Sequence, residues 1–289
     1  MDDGTLRPLP GGWSGETFLS DLGGEPVVVR IHARDPGRAV IDAAVLSLVR
    51  GLLPVPPVLE VRPGGTEAPG LLLTGLLPGE RGDLVLDRLR ERGDDDGLER
   101  LGRACGDVAG VLAGTTFPRP GRFVDAALTV VPWSAAELAH VDPAPVLGEA
   151  LALEAEDRLA AWPWHSLVHA DLNPKNLLVD PDTLQVTGVV DWEYAHVGHP
   201  ASDLGNLLRL DRDPPWVAGV LAGFAARHPR WAAPALGAAR AADLPALLDL
   251  AARGDSPPAR RAADLVAAIA AGGLDAAPPG MRQGRPSPR

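Results

Sequence analysis

The stretch Val168-His169-Ala170-Asp171-Leu172-Asn173-Pro174-Lys175-Asn176-Leu177-Leu178-Val179 decides how this chain reads, together with Val189-Val190-Asp191-Trp192-Glu193 a short way beyond it. Asp, Asn and Pro around position 174 are turn formers, so His169 to Asn176 reads as a tight loop. Leu177-Leu178-Val179 and Val186 to Val190 are short apolar runs separated by Pro181-Asp182, the pattern of a β-hairpin. The spacing His-x-Asp-x4-Asn puts a carboxylate and an amide on one loop. Asp191, twenty residues past Asp171, ends the second strand. Oxygens of Asp and Asn are the hard ligands that Mg²⁺ takes.

Upstream, Leu6 to His32 reads as strands, with Gly11 to Gly15 a turn between the first two and Val27 to Ile31 a short apolar strand. Arg38 to Leu53 carries helical periodicity, which Pro54-Val55-Pro56-Pro57 ends by removing backbone donors. Val58 to Val61 and Leu71 to Thr74 read as two more strands. Past Gly75-Leu76-Leu77-Pro78-Gly79 the chain becomes mostly Ala/Leu/Arg/Glu helix, at 83–91, 98–113, 146–161, 217–227 and 244–253. The expected class is α+β. Residues 1–74 would form a small β-rich lobe, 75–79 a hinge, 80–277 a larger, mainly helical lobe, and 278–289, rich in Pro, Gly, Arg and Ser, a disordered tail.

With 289 residues, 46% of them hydrophobic, the chain can bury a core for one large domain or two lobes. A net charge of −11 argues against a nucleic-acid partner, which needs clustered Lys and Arg, and suits a cationic small molecule. Cys105 is the one cysteine and is expected to be a buried thiol. No apolar run approaches membrane-spanning length, and Met1 to Pro8 lacks a basic region followed by an apolar one, so a cytosolic protein is expected. Lysine occurs once, at Lys175, so any other cationic role falls to arginine.

Phosphoryl transfer needs a group to orient the acceptor hydroxyl and ligands to hold Mg²⁺ against the triphosphate. Asp171 meets the first need; Asn176 and Asp191 meet the second. In protein kinases the corresponding elements are the His-Arg-Asp-x4-Asn loop and the Asp-Phe-Gly triplet. The chain resembles the aminoglycoside phosphotransferase superfamily, which includes macrolide, hygromycin and tuberactinomycin-peptide kinases and is similar to choline and homoserine kinases. The likeness runs from Leu6 to about Arg227 and is strongest over Leu167 to Leu207. It implies a bilobal protein-kinase-like fold in which Asp171 is the catalytic aspartate and Asn176 and Asp191 hold Mg²⁺. It also implies that His169 braces the loop by hydrogen bonding and that Asp203 anchors the catalytic segment.

Kinase-like folds also need a cation on the third strand for the nucleotide phosphates, and an acid on the next helix to position it. Arg30 takes the first place. On a helical wheel Val45, Leu46, Val49 and Leu53 form one apolar stripe with Asp42 in line, so Asp42 would be buried and paired with Arg30. The alternative has Asp42 facing solvent near the first turn. Gly11 to Thr17 matches the family's nucleotide-covering loop, with Ser14 and Gly15 toward the phosphates. Gly75, Leu76 and Leu77 would offer backbone groups to the purine of ATP or GTP.

His165, His169, His196 and His199 crowd one segment, but strand-like residues break their spacing and no metal-hydrolase nucleophile accompanies them. Trp162, Trp164 and Trp192 are expected as packing anchors. Glu193, Glu156, Asp157 or Asp94-Asp95-Asp96 could attract a polycation, the Asp run being better explained as solvated surface. The expected function is phosphoryl transfer from a nucleoside triphosphate to a hydroxyl of a small molecule, an antibiotic above all. A metabolic kinase for choline, homoserine or a sugar, and a non-catalytic pseudokinase, remain open.

Overall fold

Alternating apolar residues along Glu25-Pro26-Val27-Val28-Val29-Arg30-Ile31-His32 build the strand that organises the N-terminal sheet. The structure is a computed structural model and describes residues 6–9, 16–140, 142–276 and 278. Strands β1 (Arg7–Pro8), β2 (Glu16–Leu22) and β3 (Glu25–His32) are followed by helix α1 (Arg38–Val49) and strands β4 (Val58–Arg62) and β5 (Gly70–Gly75). They form an antiparallel five-stranded sheet in the order β1-β2-β3-β5-β4. Val27, Val29 and Leu73 pack on one face with Phe18, Ile31 and Leu71. Arg30 pairs in register with Leu72 and so lies on the other face, toward α1. Helix α1 stops at Val49 rather than Leu53, because Arg50 leaves helical torsion and Gly51 turns the chain at φ 85°. Leu53 still reaches the core.

Past β5 the chain runs through β6 (Glu80–Arg81), α2 (Gly82–Arg92) and α3 (Asp95–Gly114). Short strands β7 (Thr116–Phe117), β8 (Arg122–Phe123) and β9 (Val130–Val131) follow, then helices α4 (Ala135–His140), α5 (Ala144–Leu147) and α6 (Glu149–Ala160). The expected single helix over 146–161 is therefore broken, since Gly148 takes φ 86° and ψ 155°. Strand β10 (His165–Val168) leads into the loop, whose one 3₁₀ turn, Pro174–Asn176, is followed by β11 (Leu177–Val179) and β12 (Val186–Val189). After β13 (His196–Gly198) come α7 (Ser202–Leu208), α8 (Pro214–Arg227), α9 (Ala235–Ala242), α10 (Leu244–Ala252) and α11 (Pro257–Gly272).

Two features position the loop. The β11–β12 hairpin adds β6 as a third strand, and β10 lies between β13 and β7, so both arms of the loop are anchored in small sheets. Beneath it, α3 and α8 approach until backbone meets backbone. A Cβ at Gly106 would stand 2.0 Å from the Val220 carbonyl oxygen, and one at Gly219 would stand 2.1 Å from that of Glu99. The main core runs from Val45, Leu46 and Val49 through Leu86, Leu101 and Leu112 to Leu167, Leu177, Leu204 and Phe224. Burying each such side chain contributes about 1.5–3 kcal/mol. Cys105 is buried within it, as expected. No helix of the described residues is long and apolar enough to cross a membrane. Of the tail at 278–289 only Pro278 lies within the described residues.

Candidate active site

The loop after β10 begins with strain and is fastened by a buried acid. Ala170 takes φ 66°, a left-handed conformation that costs a non-glycine residue free energy. Asp203, in the first turn of α7 and 1% exposed, accepts hydrogen bonds from the backbone N–H groups of His169 at 2.9 Å and Ala170 at 3.0 Å. Burial pushes the Asp203 acid above the usual carboxylate range, and His169 together with these donors pulls against it. His169 is fully buried, with its ring centroid 4.7 Å from that of Trp192. Its Nδ1 accepts from the Asp171 N–H at 3.3 Å, so the opposite nitrogen, Nε2, carries the proton toward the Val190 carbonyl at 2.9 Å.

Asp171 is thereby carried to the front of the loop and held there. Asn173 Nδ2 donates to its Oδ1 at 2.7 Å, Asn176 Nδ2 donates to its Oδ2 at 2.8 Å, and the Lys175 ammonium stands 3.4 Å from the same Oδ2. The Asn176 carbonyl accepts from the Val190 N–H at 3.0 Å, joining this loop to the end of β12. One residue on, Asp191 is itself left-handed at φ 69°. Two of the four non-glycine residues with positive φ among the described residues thus flank the carboxylate cluster, which is where backbone strain accumulates in working sites.

Arg30 reaches this cluster from β3. Its Nη1 donates to Asp191 Oδ1 and its Nη2 to Glu193 Oε2, both at 2.6 Å. Burial pulls the guanidinium down, and Asp191 and Glu193 outweigh that, leaving its pKa above the ordinary arginine value. The expected Arg30–Asp42 pair is not formed. Asp42 is buried in the stripe of α1, as the wheel required, but its partner is Arg38, one turn earlier, at 2.5 Å. The short aspartate side chain is met first by a cation on its own helix. Burial raises the Asp42 pKa, opposed by Arg38 and then Arg30. His32 Nε2 lies 3.6 Å from Asp42, yet burial and those two guanidiniums pull the imidazole to about 4, so this contact joins a neutral ring to a carboxylate. Arg38 also donates to the carbonyls of Trp192 at 2.9 Å and Ala195 at 3.4 Å.

The remaining expected residues divide clearly. Ser14 and Gly15 lie outside the described residues. Gly75 closes β5 and its N–H donates to the Pro57 carbonyl at 2.9 Å, so that donor is already satisfied; Leu76 is 47% exposed. Leu77 lies against the hairpin, its Cδ1 being 2.9 Å from where a Cβ on Gly188 would stand. Asp94 caps α3, accepting from the Gly97 N–H at 2.8 Å, and Asp95, Asp96, Glu156 and Asp157 are exposed. Trp162 and Trp192 are buried, and Trp164 donates to the Ala113 carbonyl. Among the described residues no group of three His, Cys, Asp or Glu could hold a metal ion. His196 and His199 instead bond the carbonyls of Tyr194 and Leu159. Sequence reasoning gave Arg38, Asn173 and Lys175 no role in the site and offered Glu193 to a polycation, whereas it holds Arg30; only Arg38, four residues before Asp42, carried a readable signal.

The residues present fit a magnesium ion. Asn176 commits its amide nitrogen to Asp171, leaving the amide oxygen, and Asp191 keeps Oδ2 beside the Oδ1 that Arg30 holds. One amide and one carboxylate oxygen, backed by the Asp171 carboxylate, are the donors that ion takes.

A mixed α/β chain with this loop has the fold of the aminoglycoside kinases. The crystal structure of aminoglycoside phosphotransferase APH(4)-Ia is similar at a TM-score of 0.61 and 23% identity, covering 94% of each chain. The GDP complex of aminoglycoside 2'-phosphotransferase-IIIa is similar at a TM-score of 0.61 and 19% identity, covering 92% of each. The chain belongs to the phosphotransferase enzyme family, whose model matches residues 5–236, so the enzyme class read from the sequence is the class of its family. The uncharacterized protein YcbJ of Bacillus subtilis strain 168 is 47% identical over 45 residues, 15% of this chain and 14% of that protein.

Proposed function

We propose that the chain transfers the terminal phosphoryl group of ATP or GTP to a hydroxyl of a small molecule in the cytoplasm, inactivating an antibiotic of the aminoglycoside, macrolide or tuberactinomycin class. The reading takes residues 1–74 and 80–277 as two lobes joined by the hinge 75–79, with the reaction between them. The observation that carries it is the fixed Asp171 carboxylate, tied through Asn176 to the strand end that bears Asp191, with Arg30 bridging to that same Asp191 from the sheet. Similar solved structures include APH(4)-Ia with AMP-PNP and hygromycin B, which supports a nucleotide donor and an aminoglycoside-type acceptor.

In this mechanism Asp171 accepts a hydrogen bond from the acceptor hydroxyl. Its two oxygens are pinned by Asn173 and Asn176, so the hydroxyl meets an acceptor that cannot swing, and its lone pair is aimed at the phosphorus. Asp171 takes the proton late, as the oxygen–phosphorus bond forms. Asn176 and Asp191 would hold Mg²⁺, which supplies positive charge to the triphosphate oxygens. Arg30 holds phosphate oxygens with its planar fork, and Glu193 fixes where that fork stands. His169 braces the loop, and Asp42 acts through Arg38, which it holds against the Trp192 carbonyl. In this reading the backbone at Gly75, Leu76 and Leu77 meets the purine, the Gly75 N–H being already given to Pro57; Ser14 and Gly15, expected at the phosphates, lie outside the described residues.

The test is mass spectrometry of candidate antibiotics after incubation with the chain, Mg²⁺ and ATP or GTP. One added phosphoryl group, lost in Asp171→Asn, is the expected result. Phosphorylation of choline, homoserine or a sugar in preference would assign a metabolic kinase. Nucleotide binding with no turnover on any acceptor, or unchanged turnover in Asp171→Asn, would remove the catalytic reading.

A further inference from the structure

Arg212, just before α8, stands apart from the other half-buried arginines. Arg30, Arg38, Arg90 and Arg209 each end on a carboxylate at 2.5–2.7 Å. Among the described residues Arg212 reaches carbonyl oxygens only, those of Arg209 and Ala276, both at 3.3 Å. Its chain neighbours Asp211 and Asp213 are both turned to Arg90. Burial first, and then Arg240, pull the Arg212 pKa down to about 10, against Asp243 and Asp275. Among the described residues, a guanidinium so placed has given up water without a carboxylate hydrogen-bonded to it.

The two acids that act on Arg212, Asp243 and Asp275, are bonded to other arginines, Arg209, Arg158 and Arg240. Arg158, Arg209, Arg212 and Arg240 are gathered here against Glu154, Asp243 and Asp275. Arg212 and Arg240 line a cavity of about 390 Å³ between α8 and α9, walled by Val217, Leu221 and Leu236. That volume lies within the range of small-molecule sites, which combine apolar walls with a few placed polar groups. None of its lining residues belongs to the Asp171–Asp191 cluster.

We propose that this cavity binds a small organic carboxylate, with its head on Arg212 and its apolar body against Val217, Leu221 and Leu236. A planar guanidinium matches a carboxylate with two parallel hydrogen bonds. The apolar walls reject a bare inorganic anion, and the two arginines reject a neutral body of the same shape.

Octanoate is a suitable probe, with acetate and 1-octanol as controls for head and body, in calorimetric titrations of the full chain. Octanoate is expected to bind saturably at one site, and the two controls are not. Arg212→Gln should weaken octanoate binding by about tenfold or more. Leu236→Trp, which fills the cavity and keeps Arg212, should abolish it while the chain still melts cooperatively; it decides the matter alone if Arg212→Gln does not fold. No saturable heat with octanoate, equal binding of 1-octanol, or undiminished binding in either folded variant would overturn the proposal.

Discussion

Asp203→Asn exchanges a single heavy atom in the carboxylate that holds the His169–Ala170 backbone, and its cost can be worked from the geometry. The wild-type group is 1% exposed and accepts from two backbone N–H groups, at 2.9 and 3.0 Å. An amide offers one acceptor, so its NH₂ must face the other N–H. One charge-assisted hydrogen bond is lost, about 1.5–3 kcal/mol, and one buried donor is left unsatisfied, about 1–3 kcal/mol. Part of this is returned because a buried charge disappears, one that burial was already pushing toward protonation. A net loss of about 2–4 kcal/mol is expected. The same two bonds hold Ala170 left-handed, a conformation that costs about 1–2 kcal/mol. Released, Ala170 relaxes and carries Asp171 off its aim, so turnover should fall about a hundredfold. In the wild-type background, where Ala170 is left-handed, Ala170→Gly removes the steric cost and should add up to about 1 kcal/mol of stability. Urea unfolding followed by tryptophan fluorescence reads the first quantity, and nucleotide turnover the second. A variant with wild-type midpoint and wild-type turnover would refute the assignment of Asp203 as the anchor.

Three further outcomes follow from buried polar groups and close packing. His199 accepts from the Ala201 N–H at Nδ1 and faces the Leu159 carbonyl with Nε2; burial lowers its pKa from 6.5 to about 4. Its neutral ring contributes full stability above pH 6.5, and that contribution is lost as pH falls toward 4, because the unfolded chain takes up a proton that the fold refuses. The loss, on the order of 3 kcal/mol, should appear in thermal melts across that window and be smaller in His199→Gln, where His32, also held near 4, leaves a remainder. Arg38→Ala strands Asp42 beside a neutral His32 and should cost about 3–5 kcal/mol in urea unfolding, much of it recovered by adding Asp42→Asn. Gly106→Ala drives a methyl into the Val220 carbonyl and should cost about 1–3 kcal/mol as α3 and α8 part, read as a lowered melting temperature.

The loop from His169 to Asn176 and the hairpin that carries Asp191 could be read from the sequence because turn formers and short apolar runs are visible along a chain. Most long helices and the central strands were likewise legible from apolar periodicity. What failed was anything decided by competition in space. Arg30 was assigned to Asp42, but Arg38 lies closer to that acid, and Asp191 and Glu193 lie across the site, more than 160 residues away in sequence. Gly148 looks like an ordinary interruption in a run of Ala and Leu, and only its left-handed torsion divides α5 from α6. Helix α11 was overlooked although its start is written plainly: Ser256 caps it, accepting from the Ala259 N–H, and Pro257 and Pro258 occupy positions where a helix tolerates them. The cavity beside Arg212 has no linear signal, being assembled from α7, α8 and α9.

Lys175, 3.4 Å from the Asp171 carboxylate and 43% exposed, bears the sequence's single side-chain amine. An amine-directed acylating reagent therefore has one side-chain address in the sequence, and that address is beside the proposed reaction centre at Asp171. A dye attached there would report directly on what enters and leaves the loop, at one side-chain label per chain in addition to the α-amine, without any engineered cysteine. The same scarcity makes labelling self-checking: a peptide map after cleavage at lysine yields one diagnostic junction, intact when the amine is capped and cut when it is free.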